Sequence, residues 1–127
     1  MIDKVKREIY YQEDNLTAWC KENVKKQFWK STSDALAEYA EVQNWAQDKN
    51  YNERALLQFA DVKNADPFLV AFALNTIRNS DKKMTIVTLE VSNLDSKKIV
   101  KLPDVCIDFE IPYINNNEFF RRIGVQF

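Results

Sequence analysis

Two carboxylates in this chain sit where chemistry is commonly done. Asp66 opens the run NADPFLVAFAL, residues 64–74, in which nearly every residue after the acid is apolar. Glu90 closes MTIVTLE, residues 84–90, a short β-branched run. Acids at the ends of elements are hard oxygen donors, and a cluster of them binds Mg²⁺ or Mn²⁺, usually with waters retained. Such an ion lowers the pKa of water and offsets charge on a phosphoryl oxygen, which is a route to phosphodiester hydrolysis. Each acid also has a plainer reading. Asp before Pro at a helix start is a cap worth about 1 kcal/mol, and Glu after a strand is commonly a solvated residue.

Other nucleophile systems are excluded by composition. The chain has no histidine, so it holds neither a Ser-His-Asp nor a Cys-His system and no His-ligated zinc. Its one glycine, Gly124, leaves no P-loop and no dinucleotide fingerprint. The two cysteines, Cys20 and Cys106, are too few for a disulfide scaffold, which points to a reducing, cytoplasmic setting. Cys106, in PDVC, reads as a small buried hydrophobe because no base accompanies it. Basic and acidic residues number 18 and 19, so no global field attracts nucleic acid or an acidic membrane. The charged opening MIDKVKREIYYQED does not read as a secretory leader, and no apolar run is long enough to span a bilayer.

The elements that must position the acids follow from periodicity. Helices are expected over Asp3 to Gln12, after an Asn15 cap with a stripe of Leu16, Trp19, Cys20 and Val24, and after Ser31 or Ser33. The aromatic stretch 27–30 fits a short strand better than a helix continuation. A turn at 48–52 precedes a helical piece from Arg54 to Phe59. With Asp66 as cap and Pro67 in the first turn, a buried helix runs to about Arg78. Residues 84–89, apolar on both faces, fit a parallel strand covered by helices. A short helix over Pro103 to Phe109, a strand at 112–114 and a helix after an Asn116 cap complete an α/β order in one domain. In open α/β sheets ligands collect outside the carboxyl ends of strands. A helix antiparallel to the strand it precedes brings its start to that same end, so Asp66 and Glu90 are expected to converge.

Lys97, Lys98, Lys101, Arg121 and Arg122 are the candidate contacts for RNA phosphates, against the commoner reading of a solvated surface. Trp19, Trp29 and Trp45 are candidates for base stacking but fit core or interface positions better.

Three stretches in this order carry a resemblance. They are the ADPFLVA helix start, the VTLE strand end, and KLPDVC before a last strand and an aromatic helix. With VKREIYYQEDNLTAW near the start, they make nearly the whole chain resemble the C-terminal part of a PIN-like domain, in a prokaryotic branch grouped with VapC-type toxins. The resemblance implies an N-terminally truncated PIN-like domain over residues 1–127: a three-layer α/β fold, mostly helical with a small parallel sheet. The usual strand order, 3-2-1-4-5, implies missing central strands and a gap in the sheet. It also implies a metal-dependent endoribonuclease, the toxin of a toxin–antitoxin pair, cleaving RNA with Mg²⁺ or Mn²⁺. Glu8 matches the acid of the family's early helix, Asp66 the acid opening the helix before the fourth strand, and Glu90 the acid after V-T-x. These three are the implied catalytic and metal-binding residues. The family's opening strand, which carries another catalytic acid, has no counterpart here. Asp3 lies in the wrong element to replace it. The alternative is therefore a catalytically inert module that binds an antitoxin or another protomer.

Overall fold

The structure, a computed structural model, describes residues 1–11 and 14–124. The described residues form seven α-helices and one two-stranded parallel sheet, an α/β arrangement dominated by helix. Helix α1 spans Asp3–Tyr10, α2 Asn15–Asn23, α3 Leu36–Gln47, α4 Glu53–Ala60 and α5 Asp66–Asn79. Strand β1, Ile86–Val87, α6, Leu102–Asp108, β2, Tyr113–Ile114, and α7, Asn116–Arg122, follow.

Helix α5 is the centre of the molecule and packs against α3, α4, α6 and β1. Its Val70, Ala73 and Leu74 meet Val42 and Ala46 of α3 and Ala55 and Phe59 of α4. Ile86, Val105, Cys106 and Ile111 close the same core. Val42, Val70 and Val105 are fully buried, each worth about 1.5–3 kcal/mol relative to exposure. The Tyr39 and Phe68 rings stack 4.3 Å apart, and Arg78 forks onto both oxygens of Glu41 at 2.6 and 2.8 Å. Pro67 occupies the first turn of α5, where its missing N–H costs nothing.

Several expectations are corrected. The cap of α2 is Asp14, whose carboxylate accepts from Thr17 N at 2.9 Å, because Asn15 is already helical. Cys20 is buried as expected, but Leu16 and Trp19 face solvent. The end of the first expected helix, at Gln12, lies outside the described residues. The stretch 27–30 is not a strand. Lys26–Phe28 is a 3-10 turn, and pairing is confined to one parallel bridge, Ile2 to Lys30. Neither Ser31 nor Ser33 caps α3; a 3-10 turn, Ser33–Ala35, leads directly into it. The cap of α7 is Asn115, one residue before the expected one, accepting from Glu118 N at 2.9 Å.

The strand expected over 84–89 shrinks to Ile86–Val87, paired with Tyr113–Ile114. Ile86 and Thr88 are buried, whereas Val87 and Leu89 are exposed. Only one face of this strand is covered, so its hydrophobic alternation is half-satisfied rather than sandwiched. Among the described residues, β1 has no neighbour on its other edge. An apolar groove of about 460 Å³ is lined by Ile2 and Lys30 of the bridge, Leu69 and Phe72 of α5, and Ile86 and Val87 of β1.

Candidate functional site

Whether Asp66 caps α5 is decided by where the first N–H groups of that helix go. Ala65, not Asp66, is the cap residue, and no side chain of its own bonds to the helix start. The Ala65 N–H donates to Glu8 Oε1 at 2.8 Å. The Asp66 N–H donates to Asn64 Oδ1 at 3.0 Å. Pro67 has no N–H to offer. Asp66 is thus the first helical residue, and the capping role assigned to it belongs to its neighbours. The turn feeding it is itself ordered: Lys63 N donates to Asp61 Oδ1 at 2.9 Å and Asn64 Nδ2 to the Gln58 carbonyl at 3.2 Å.

Glu90 is held from another direction. It leaves β1 with its N–H on Thr88 Oγ1 at 3.1 Å. Its Oε2 accepts from Leu102 N at 2.6 Å, at the start of α6, where backbone donors lack intrahelical partners. Glu8 and Glu90 therefore share one device. Each has an oxygen on a backbone N–H at a helix start, and each carboxylate is oriented by that bond.

These elements bring Glu8, Asp66 and Glu90 onto the wall of one cavity of about 300 Å³, with Phe59, Lys63 and Val100 also lining it. The carboxylates sense one another. Burial, then the charge of Glu90, then that of Glu8, pushes the Asp66 carboxyl up from 3.8 to about 6. Cys106 lies near enough to feel it. Burial first, then the Asp66 charge, pushes its thiol up to about 12, consistent with an inert packed side chain. Among the described residues, no group of three or more His, Cys, Asp or Glu side chains is drawn together tightly enough to hold a metal ion as it stands. The donor chemistry still fits a hard divalent cation, because Mg²⁺ usually takes one or two carboxylates directly and keeps several waters.

The basic candidates divide. Arg121 and Arg122 are committed to Glu118, with contacts of 2.6 to 2.9 Å. Lys97 Nζ sits 4.8 Å from the centre of the Tyr51 ring, a packing contact. Lys98 is exposed, one residue from Ile99, which lines the acid cavity. Lys63 lines that cavity too and was missed by sequence reasoning; its place in the turn just before Asp66 was the available signal. Of the tryptophans, Trp45 is a packing residue against Tyr51 and Phe109, its Nε1 donating to Asp108 Oδ2 at 2.8 Å. Trp29 packs edge-on against Tyr10, and Trp19 is exposed.

No helix among the described residues is long and apolar enough to cross a membrane. No curated protein and no solved structure matches the chain. The family described as Domain of unknown function (DUF4411) matches residues 1–127, and the chain belongs to it.

Proposed function

We propose that the chain is a metal-dependent endoribonuclease of PIN type, acting as the toxin of a toxin–antitoxin pair. The observation that carries this reading is the meeting of Glu8, Asp66 and Glu90, from α1, α5 and the end of β1, at one cavity. Three acids so far apart along the chain gain nothing in stability from facing one another, and the Asp66 carboxyl is raised first by its burial and then by the charges of Glu90 and Glu8. One or two of these carboxylates would ligate Mg²⁺ or Mn²⁺ directly and the rest through retained waters, and the ion when bound activates water and offsets phosphoryl charge.

The protein's own part is placement. The Ala65 and Leu102 N–H groups aim Glu8 and Glu90, and the start of α5 aims Asp66. Lys63, at the same cavity, is the cation closest in role to a phosphate contact, and Lys98 extends the basic side.

The test uses single-stranded RNA and Mn²⁺ or Mg²⁺. Cleavage should require the metal and fall at least about 100-fold in Asp66→Asn and Glu90→Gln, which keep the shape but remove the charge. Cleavage unaltered in variants that fold normally would refute the assignment.

A second reading is a catalytically inert module that docks an antitoxin or another protomer. The open β1 edge and the apolar groove favour it. Mn²⁺ titration separates the two readings. A nuclease site binds the ion at micromolar to millimolar levels, and an inert module does not.

A further inference from the structure

Asp104 is fully buried, yet it is a carboxylate. It lies in the first turn of α6, between Pro103 and Val105, both without solvent exposure. One oxygen, Oδ1, accepts from Ser92 Oγ at 2.5 Å and from Asn93 N at 3.1 Å. The other, Oδ2, is buried with no hydrogen-bond partner among the described residues. A buried charge with a spare, unmatched oxygen is a poor choice for stability alone. What it does well is grip, because charge-assisted bonds of this length are stronger than neutral ones.

What Asp104 grips is the chain that leaves Glu90. Ser92 and Asn93 follow that residue by two and three positions, while Glu90 Oε2 reaches back to Leu102 N, two residues before Asp104. The two contacts are reciprocal. A strap side chain holds the helix backbone, and a helix side chain holds the strap. Without the second, Glu90 keeps only its own N–H on Thr88 Oγ1 and the single bond to Leu102.

We propose that Asp104 is a positioning residue for Glu90: through Ser92 and Asn93 it locks the strap against α6 and so fixes the Glu90 carboxylate at the acid cavity. This rests on Glu90 being a metal-site acid, and its test is arranged so that the two ideas fail separately.

Asp104→Asn keeps an oxygen for Ser92 and Asn93 but removes the charge. Amide hydrogen exchange in the full chain reads the lock without any metal. Leu102 should exchange about tenfold faster or more in the variant, while Ala65, held by Glu8, should be unchanged. Mn²⁺ titration reads the consequence. Its dissociation constant should rise about 10–100-fold, as for other residues that orient a metal ligand. Any fall in stability should be smaller than the loss of Mn²⁺ affinity, since the variant exchanges one unpartnered buried polar atom for another. If Asp104→Asn does not fold, Ser92→Ala removes the shortest bond from the other side and should shift Leu102 exchange in the same direction. Unchanged Leu102 exchange, or lost stability with unaltered Mn²⁺ affinity, overturns the proposal. If neither wild type nor variant binds Mn²⁺, the nuclease reading fails, and the Leu102 exchange result alone decides whether Asp104 locks Glu90.

Discussion

Asp66→Asn should stabilise this protein near neutral pH. In the folded chain, burial, Glu90 and Glu8 raise the Asp66 carboxyl from 3.8 to about 6. The unfolded chain keeps the ordinary value of about 3.9. Between those two values the folded state holds the proton more tightly than the unfolded state does. Stability from this group is therefore complete below about pH 4 and is lost as pH rises through about 6. The shift is about 6 minus 3.8, or about 2 units. At about 1.36 kcal/mol per unit that is at most about 3 kcal/mol. The cavity is open to water, so screening should reduce the observed effect to about 1–3 kcal/mol. Asparagine has nearly the same shape and no charge at any pH.

Urea unfolding of both proteins from about pH 4 to about pH 8 measures the difference. Wild type should lose about 1–3 kcal/mol across the window, and the variant should lose distinctly less. Saturating Mn²⁺ should then close the gap from the wild-type side, because a ligand bound only to the folded state stabilises it. An Asp66→Asn protein no more stable than wild type at about pH 7 would refute the argument that burial and the neighbouring charges of Glu90 and Glu8 disfavour the Asp66 carboxylate.

Other outcomes follow from the same structure. Asn52→Ala removes the α4 cap, which accepts from Ala55 N at 2.8 Å, and should cost about 1 kcal/mol in chemical unfolding. Val70→Ala, in a fully buried position on α5, should cost about 2–3 kcal/mol by the same measurement, combining lost burial with a residual cavity. Cys106, with its thiol pushed up to about 12 and fully buried, should label with a thiol reagent only as fast as the protein unfolds. Rapid labelling of native protein at that residue would show the core around α6 to be open.

How much of this was legible in the sequence depends on what held each residue. Helix α5 was legible because a long apolar run behind Asp-Pro leaves few alternatives, and its observed span starts at Asp66. The two strands were legible in type but not in length. Residues 84–89 have strand chemistry throughout, but a ladder needs a partner, and β2 offers only two residues. The same reasoning misplaced a strand at 27–30, where aromatic residues suited pairing but only Lys30 found a neighbour, Ile2. Caps were misplaced by one residue at Asn15 and Asn116, since neighbouring Asp and Asn compete for the same donors. Convergence of Asp66 with Glu90 could be argued from strand and helix direction. The place of Glu8 came from resemblance alone, because nothing local in KREIYY announces a contact with Ala65, 57 residues on. Asp104 could not be seen at all: an acid in a helix's first turn normally serves the helix dipole at the surface, and only the fold buries it.

The three acids of the cavity are held unequally. Glu8 and Glu90 each give one oxygen to a backbone N–H, which orients the carboxylate. Asp66 has no such bond to its carboxylate among the described residues, and it carries a shift imposed first by burial and then by two neighbouring charges. A fold built for stability alone would place an amide there. Near neutral pH the arrangement leaves one acid whose charge is relieved only by a proton or by a cation. Protonation loses ground above about pH 6, so under the proposed metal-site reading a bound divalent cation would restore the lost stability in that range, and the acid at the head of α5 is the one that should respond to it most.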